Sequence, residues 1–369
     1  MSWVLTILGI VALIVLHELG HFAVAKAVGM RVERFSLFFP PKLVGVKRGE
    51  TEYMVGAIPA GGYVRITGMN PEEVGRLAPE VARRAYYTQA PWKRVAVILA
   101  GPGVNLAIAF LLFWAVLLAG NLGGAIALSN LDPHLNAVRS TTTVEGVLPG
   151  SPAAAALMRG DRILAVDRHP VSAMSARAAI GSHRCAGRPV GGCRARTPVL
   201  LAVRRGARTL ALTAYPRYDP AAKRMLLGFD FGARARSFTV PSAAGAALGS
   251  MWATTEETLT SLAKALTNAK QRSEVSSIVG ITEVTQKAVA SGTGKALVVV
   301  GFVSLVLGVV NLFPFLPLDG GHVLWSLAEK LRGRRVSVAA MWRFSSIGIV
   351  LLLFLVLNGF KNDITRLAG

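Results

Sequence analysis

The chain has 369 residues, enough for two or three domains. A hydrophobic content of 52% and a mean hydropathy of +0.48 set it apart from ordinary soluble globular chains. The net charge of +21 comes from 41 Lys and Arg against 20 Asp and Glu, spread over loops without interleaved stacking aromatics. That pattern argues against nucleic acid and for contact with anionic lipid head groups.

Apolar residues cluster in four stretches: 3–28 with a polar interruption after Leu16, 95–119, 296–318, and 347–360 extended back towards Met341. A helix crossing the hydrocarbon core needs about 20 residues, so four transmembrane helices are predicted. The first stretch reads as a retained helix, because no Lys or Arg precedes it and no small-residue cleavage site follows. Lys26, Arg31 and Arg34 come just after it, which by the positive-inside rule places the N-terminus outside. Ten Lys and Arg lie between 29 and 93, and Lys330, Arg332, Arg334 and Arg335 follow the third stretch, all on the cytoplasmic side of a four-helix topology.

The expected order is therefore a first transmembrane helix at 1–28, a cytoplasmic-side loop at 29–93, and a second transmembrane helix at 94–119. An extracytoplasmic strand-rich domain at 120–220 and a helical segment at 221–294 come next. The third transmembrane helix at 295–319, a cytoplasmic loop at 320–340, and a fourth helix with a tail at 341–369 complete the chain. In the 29–93 loop, KLVGV and TEYMVGAI flank a Gly-containing turn at 47–50, which predicts a β-hairpin within 42–66. VEGVL, DRILAVD, PVLLAVRR and RTLALTAY read as strands of the outer domain. Residues 243–290 read as helices that lie on a surface rather than span.

His17-Glu18-Leu19-Gly20-His21 fits H-E-x-x-H. On a helix, residues i and i+4 share a face, so both imidazoles can grip one metal, with Glu18 beside them to take a proton from water. Zinc held by three protein ligands keeps an open position and brings the pKa of its water to about 7. His17 lies about 21 Å along the helix from Trp3, deep in the hydrocarbon layer, where ionisable side chains default to function. A third ligand is needed. The third apolar stretch ends in NLFPFLPLDGG, where Pro314 and Pro317 break the helix and Asp319 can present a carboxylate to the interior.

HELGH and NLFPFLPLDGG together resemble the paired signatures of the site-2 protease family of intramembrane zinc metalloproteases, of the bacterial regulated-intramembrane-proteolysis type. GPGVN at 101–105 resembles that family's third motif, and VEGVLPGSPAAAALMRGDRILAVDRHPV resembles its extracytoplasmic PDZ domain. The resemblance implies an α-helical polytopic membrane protein with four transmembrane helices, a cytoplasmic-side β-hairpin and an inserted PDZ-like domain. It implies Zn2+ on His17, His21 and Asp319, Glu18 as base, and Asn311 and Asn105 as residues that position the substrate backbone or the core helices. It further implies a plasma (inner) membrane location with the N-terminus and PDZ outside. The implied substrates are single-pass membrane proteins, such as anti-sigma factors or signal-peptide remnants, already shortened by a first extracytoplasmic cut.

An unwound substrate can be captured by strand addition to the 42–66 hairpin. His322 is expected beyond a helix end, as a structural or solvated residue. Cys185 and Cys193 sit in a Gly-rich loop, compatible with a disulfide or with free thiols. A metal-binding transporter shares the broken helix and buried carboxylate, but has no use for Glu18. An inactive PDZ scaffold is disfavoured because every catalytic residue is present.

Overall fold

The computed structural model describes residues 2–273, 275–334 and 336–368, so Arg335, counted above with the cytoplasmic charges, lies outside the described residues. Two compact units emerge: 1–135 together with 237–369, and 136–236.

The first unit opens with α1, Ser2–Ala27, uninterrupted by proline and ended by Gly29 at φ 84°. Strands β1 (Val32–Arg48) and β2 (Thr51–Ile66) follow, then two single-turn helices, α2 (Pro71–Val74) and α3 (Pro79–Ala82). Helix α4 runs Pro91–Ala119, with proline in its first turn and Gly120 in the left-handed conformation just past its end. Short α5 (Leu122–Leu131) leads out of the unit.

The predicted hairpin is larger than its sequence suggests. Residues 51–56 pair with 42–48 across the Gly49-Glu50 turn, and 62–66 pair antiparallel with 32–37. Residues 52–55 also pair with 34–37, so these stretches lie side by side in the order 42–48, 51–56, 32–37, 62–66. Positions 52–55 are thus flanked on both sides, and the free edges are 42–48 and 62–66. An incoming strand cannot pair with 52–55 without displacing a neighbour.

The second unit holds β3 (Val138–Val147), β4 (Arg162–Val166), β5 (His169–Pro170), α6 (Ala173–Ser182), β6 (Val199–Arg205) and β7 (Arg208–Ala214). The small pair β8 (Arg217–Asp219) and β9 (Arg224–Leu226) precedes β10 (Phe229–Ala235). The main sheet runs β10-β3-β4-β6-β7, with β5 paired to β4. Its core includes Val144, Ile163, Val166, Leu201, Val203 and Leu227. The predicted boundary at 220 is therefore corrected: β10 pairs with β3, so the unit closes at 236. FDFGARA alternates apolar with polar residues, but it is a short run whose partner strand is remote in the chain. Cys185 and Cys193 form a disulfide, and the loop they close is tied to β8 by main-chain bonds between Cys193 and Tyr218 and between Gly192 and Tyr218.

Back in the first unit, α7 (Val240–Thr267), α8 (Ala269–Arg272) and α9 (Ile278–Ser291) precede α10 (Thr293–Asn311). The predicted helix 295–319 ends early, at Asn311. Pro314 and Pro317 lack donors and push the residues before them out of the helical region, so 312–318 is irregular. Asp319 then starts a separate helix, α11 (Asp319–Arg332), where the predicted map had a loop. Helix α12 (Val338–Ala368) completes the chain.

Among the described residues, four helices are long and apolar enough to cross a membrane: α1, α4, α10 and the 339–366 part of α12. On α1, Val4, Leu5, Ile7 and Leu8 are more than half exposed. Such a face suits lipid, which exacts no penalty for apolar exposure.

The β1–β2 turn is pinned by charge. Glu50 accepts from Arg84 Nη1 at 2.7 Å and Nη2 at 2.8 Å, and from Lys26 Nζ at 2.6 Å. Arg84 foremost, then Lys26, holds its carboxyl down at about 2. The depressed value means that the network stabilises the fold above the ordinary carboxyl range near 4.3 and fades as pH falls towards about 2. Because the groups are partly exposed, the contribution is about 1 kcal/mol. Comparing thermal midpoints in detergent from pH 5 to 2.5, Glu50→Gln should lower the midpoint at pH 5 and converge with wild type at the acid end. A constant offset across that range would show that the carboxylate charge is not the cause.

Candidate metal centre and active site

His17 and His21 lie one turn apart on α1, each 7% exposed, with ring centroids 4.8 Å apart. Asp319, in the first turn of α11, reaches both. Its Oδ2 is 3.3 Å from each Nε2, and the two Nε2 atoms are 3.2 Å apart. Zinc bonds of about 2.0–2.1 Å in a tetrahedron place ligand atoms about 3.3 Å from one another. Among the described residues, these three form the group able to hold a metal ion.

The hydrogen-bond partners fix which ring nitrogens face inwards. His21 Nδ1 lies 2.9 Å from the Val97 carbonyl, which can only accept, so Nδ1 carries the proton and the Nε2 lone pair points at Asp319. His17 Nδ1 lies 3.0 Å from Asn105 Nδ2, while Asn105 Oδ1 is buried without a partner. The amide oxygen and nitrogen are nearly isosteric. Turning the amide over gives Oδ1 a proton from His17 Nδ1 and leaves a second inward lone pair. Asp319 Oδ2 is likewise buried without a hydrogen bond. Three lone pairs then converge on one point in an apolar bundle, an arrangement that only a cation or extra protons can relieve. The donor set of two imidazoles and a carboxylate fits zinc.

Helix α4 makes room for this. A β-carbon at Gly101 would overlap the His21 imidazole. Pro102, inside the helix, withholds the bond to the Ile98 carbonyl and loosens the turn in which Val97 accepts from His21. Asn105 is fully buried, and its own carbonyl accepts from Ser304 of α10 at 2.8 Å. GPGVN is thus a mould for the two histidines. On the other side, Gly320 and Gly321 let the start of α11 press against the main chain of 312–316.

Glu18 faces the sheet. The Val64 main chain lies next to its carboxylate, and a β-carbon at Gly62 would lie 2.8 Å from Glu18 Cγ. The free 62–66 edge of the sheet therefore runs alongside the expected base.

The predicted residues fall into place unevenly. His17, His21 and Asp319 converge, Glu18 is beside them, and Asn105 is engaged with His17. Asn311 ends α10 and makes no hydrogen bond to these residues among the described ones. His322 is not solvated beyond a helix end: it sits in the first turn of α11, half-buried, its ring 6.1 Å from that of Tyr86. Sequence reasoning missed Val97 and Val64, which act through main-chain groups and leave no side-chain signal.

Comparison with known proteins identifies the family. The model of peptidase family M50 matches residues 5–355. The zinc metalloprotease Rip1 of Mycobacterium tuberculosis is 32% identical over 354 residues, covering 89% of this chain and 86% of that protein. Rip1 of Mycobacterium bovis matches over the same shares. A relative from Clostridium acetobutylicum is 30% identical, with 98% of this chain and 96% of its own length covered. The chain belongs to peptidase family M50, the site-2 protease family, and is a membrane zinc metalloprotease.

Proposed function

We propose that this protein cleaves transmembrane segments of single-pass membrane proteins within the bilayer, with His17, His21 and Asp319 as the zinc ligands and Glu18 as the base. The convergence of three unpartnered acceptor atoms at 3.2–3.3 Å carries the reading. Zinc, when bound there, supplies the Lewis acidity that makes water nucleophilic near neutral pH. Glu18 takes the proton of the attacking water and passes it to the leaving amine as the peptide C–N bond breaks. Asn105 and Val97 fix the tautomers of His17 and His21, the outer-shell role that raises ligand basicity. Asn105 is accordingly assigned to ligand orientation rather than to substrate, while Asn311 remains the candidate for contact with substrate.

A helical substrate hides its amides in i to i−4 bonds and must unwind before attack. An extended segment adding to the free 62–66 edge would pass beside Glu18. The stretch 52–55 offers no such edge, because both its sides are already occupied. The reading has α1, α4, α10 and α12 as four crossings, the N-terminus and the 136–236 unit outside, and that unit acting as a PDZ-like filter for substrates shortened by an earlier cut. The excess of Lys and Arg in 29–93 supports this orientation.

Purified protein should carry about one zinc per chain, and Asp319→Ala or His17→Ala should lose most of it. Glu18→Gln should keep zinc yet lose cleavage of membrane-peptide substrates by about 100-fold or more. Full zinc in either ligand variant removes that residue from the set, and near wild-type cleavage by Glu18→Gln rejects the proposed base.

Two glycines should separate metal from base. Gly101→Val displaces the His21 ring and should weaken zinc binding about 10–100-fold. Gly62→Val displaces Glu18 and should abolish cleavage with zinc retained. The same phenotype from both would mean that neither glycine acts through the neighbour named here.

Cysteines placed near Arg83 and Arg334 should resist an impermeant external label, and one near Asp219 should react. Labelling at all three positions would overturn the orientation.

A further inference from the structure

Two oppositely charged side chains are buried against one another away from the metal cluster. Arg94, in the first turn of α4, is 4% exposed and Glu329, near the end of α11, is 8% exposed. They meet at 2.7 Å, Nη1 to Oε2. The Arg94 guanidinium also lies over Tyr86 at 5.9 Å and Tyr87 at 5.3 Å.

Stability is a poor explanation for this pair. A buried ion pair is commonly no better than well-packed apolar side chains of similar volume, because desolvation offsets the attraction. This one is also incompletely satisfied, since Arg94 Nε is buried without a hydrogen-bond partner. What such a pair does supply is a fixed distance and direction between two elements.

Its placement shows which elements those are. Arg94, Val97, Gly101 and Asn105 are all buried on α4. Their spacing puts them on one stripe, which meets Glu329, the His21 Nδ1 proton, the His21 ring and His17 in turn. On α11, Asp319, His322, Ser326 and Glu329 follow helical spacing and likewise share a face. Asp319 and Glu329 are ten residues apart, about 15 Å along the axis. Between these ends the Tyr86 ring sits against both Arg94 and His322.

Helix α11 does not inherit its position from α10, because the irregular stretch 312–318 separates them. Its setting must come from contacts with its neighbours, and the buried charge contact to α4 is the most directional of them. We propose that Arg94 and Glu329 are a positioning pair for the metal site. They set the rotation and axial height of α11 on α4, so that Asp319 Oδ2 arrives where His17 and His21 present their lone pairs. This rests on the reading of those three residues as the zinc ligands.

The test measures zinc affinity by chelator competition on the full-length protein in detergent, well below the thermal midpoint, together with kcat and KM for a membrane-peptide substrate. Glu329→Gln and Arg94→Met should each weaken zinc binding at least tenfold, and lower kcat at saturating zinc with little change in KM. The charge-reversed double variant Arg94→Glu with Glu329→Arg should recover part of the lost affinity. Should a single variant fail to unfold cooperatively, the milder Glu329→Asp keeps the charge but shortens the reach, and should show a smaller loss of affinity. Wild-type zinc affinity in folded Glu329→Gln or Glu329→Asp would overturn the positioning role. Failure of the underlying reading looks different: wild type would then bind no zinc, or Asp319→Ala would bind it as tightly as wild type.

Discussion

Three acceptor atoms pointed at one another inside an apolar bundle are an unstable arrangement without a cation, and most of what surrounds them can be understood as holding them there. Each histidine has one nitrogen committed outwards, His21 to the Val97 carbonyl and His17 to Asn105. Those commitments deny the rings their other tautomers. Asp319 Oδ2 is buried and has no hydrogen-bond partner among the described residues. The site is therefore preorganised for charge at the expense of internal satisfaction, which is how a polar centre persists where water cannot assist.

Close approach of main chain to side chain is the means by which this is done. α4 brings a loosened helical turn to His21 because Gly101 leaves the ring its space. β2 brings Val64 to Glu18 because Gly62 carries no side chain to hold them apart. On the proposed assignment, holding a metal and moving a proton are thus supported by different neighbours of α1. Helix packing serves one and a sheet edge serves the other.

Much of the site was legible because its logic is local. HELGH needs only the helical period to place two imidazoles together, and Pro314, Pro317 and Asp319 mark a break with an acid at its end. What lies beyond the break was not legible. Two prolines say where a helix stops, but not that Asp319 begins another, so the helix at Asp319–Arg332, with His322 in its first turn, was not anticipated. The sheet was under-read for a similar reason: 32–37 pairs with two different stretches, and no local pattern announces a strand used twice. β10 was missed because its partner β3 lies far back in the chain. Arg94 and Glu329 were visible as charges bordering apolar helices, yet their pairing joins residues 235 positions apart and needed the fold to be seen.

The donors of the metal centre come from the two extremes of the chain, residues 17 and 21 near one end and residue 319 near the other. During synthesis, α1 enters the membrane with both imidazoles and Glu18 in place but with no third ligand. On the assignment proposed here, the nascent protein cannot assemble its hydrolytic centre until 312–319 has been made and α11 has docked. An enzyme that attacks membrane helices would thus be harmless to the neighbouring segments of its own unfinished chain. Once all three donors engage, a single ion closes a loop of about 300 residues. By the chain-entropy argument used for covalent cross-links, such a closure is worth on the order of 5 kcal/mol.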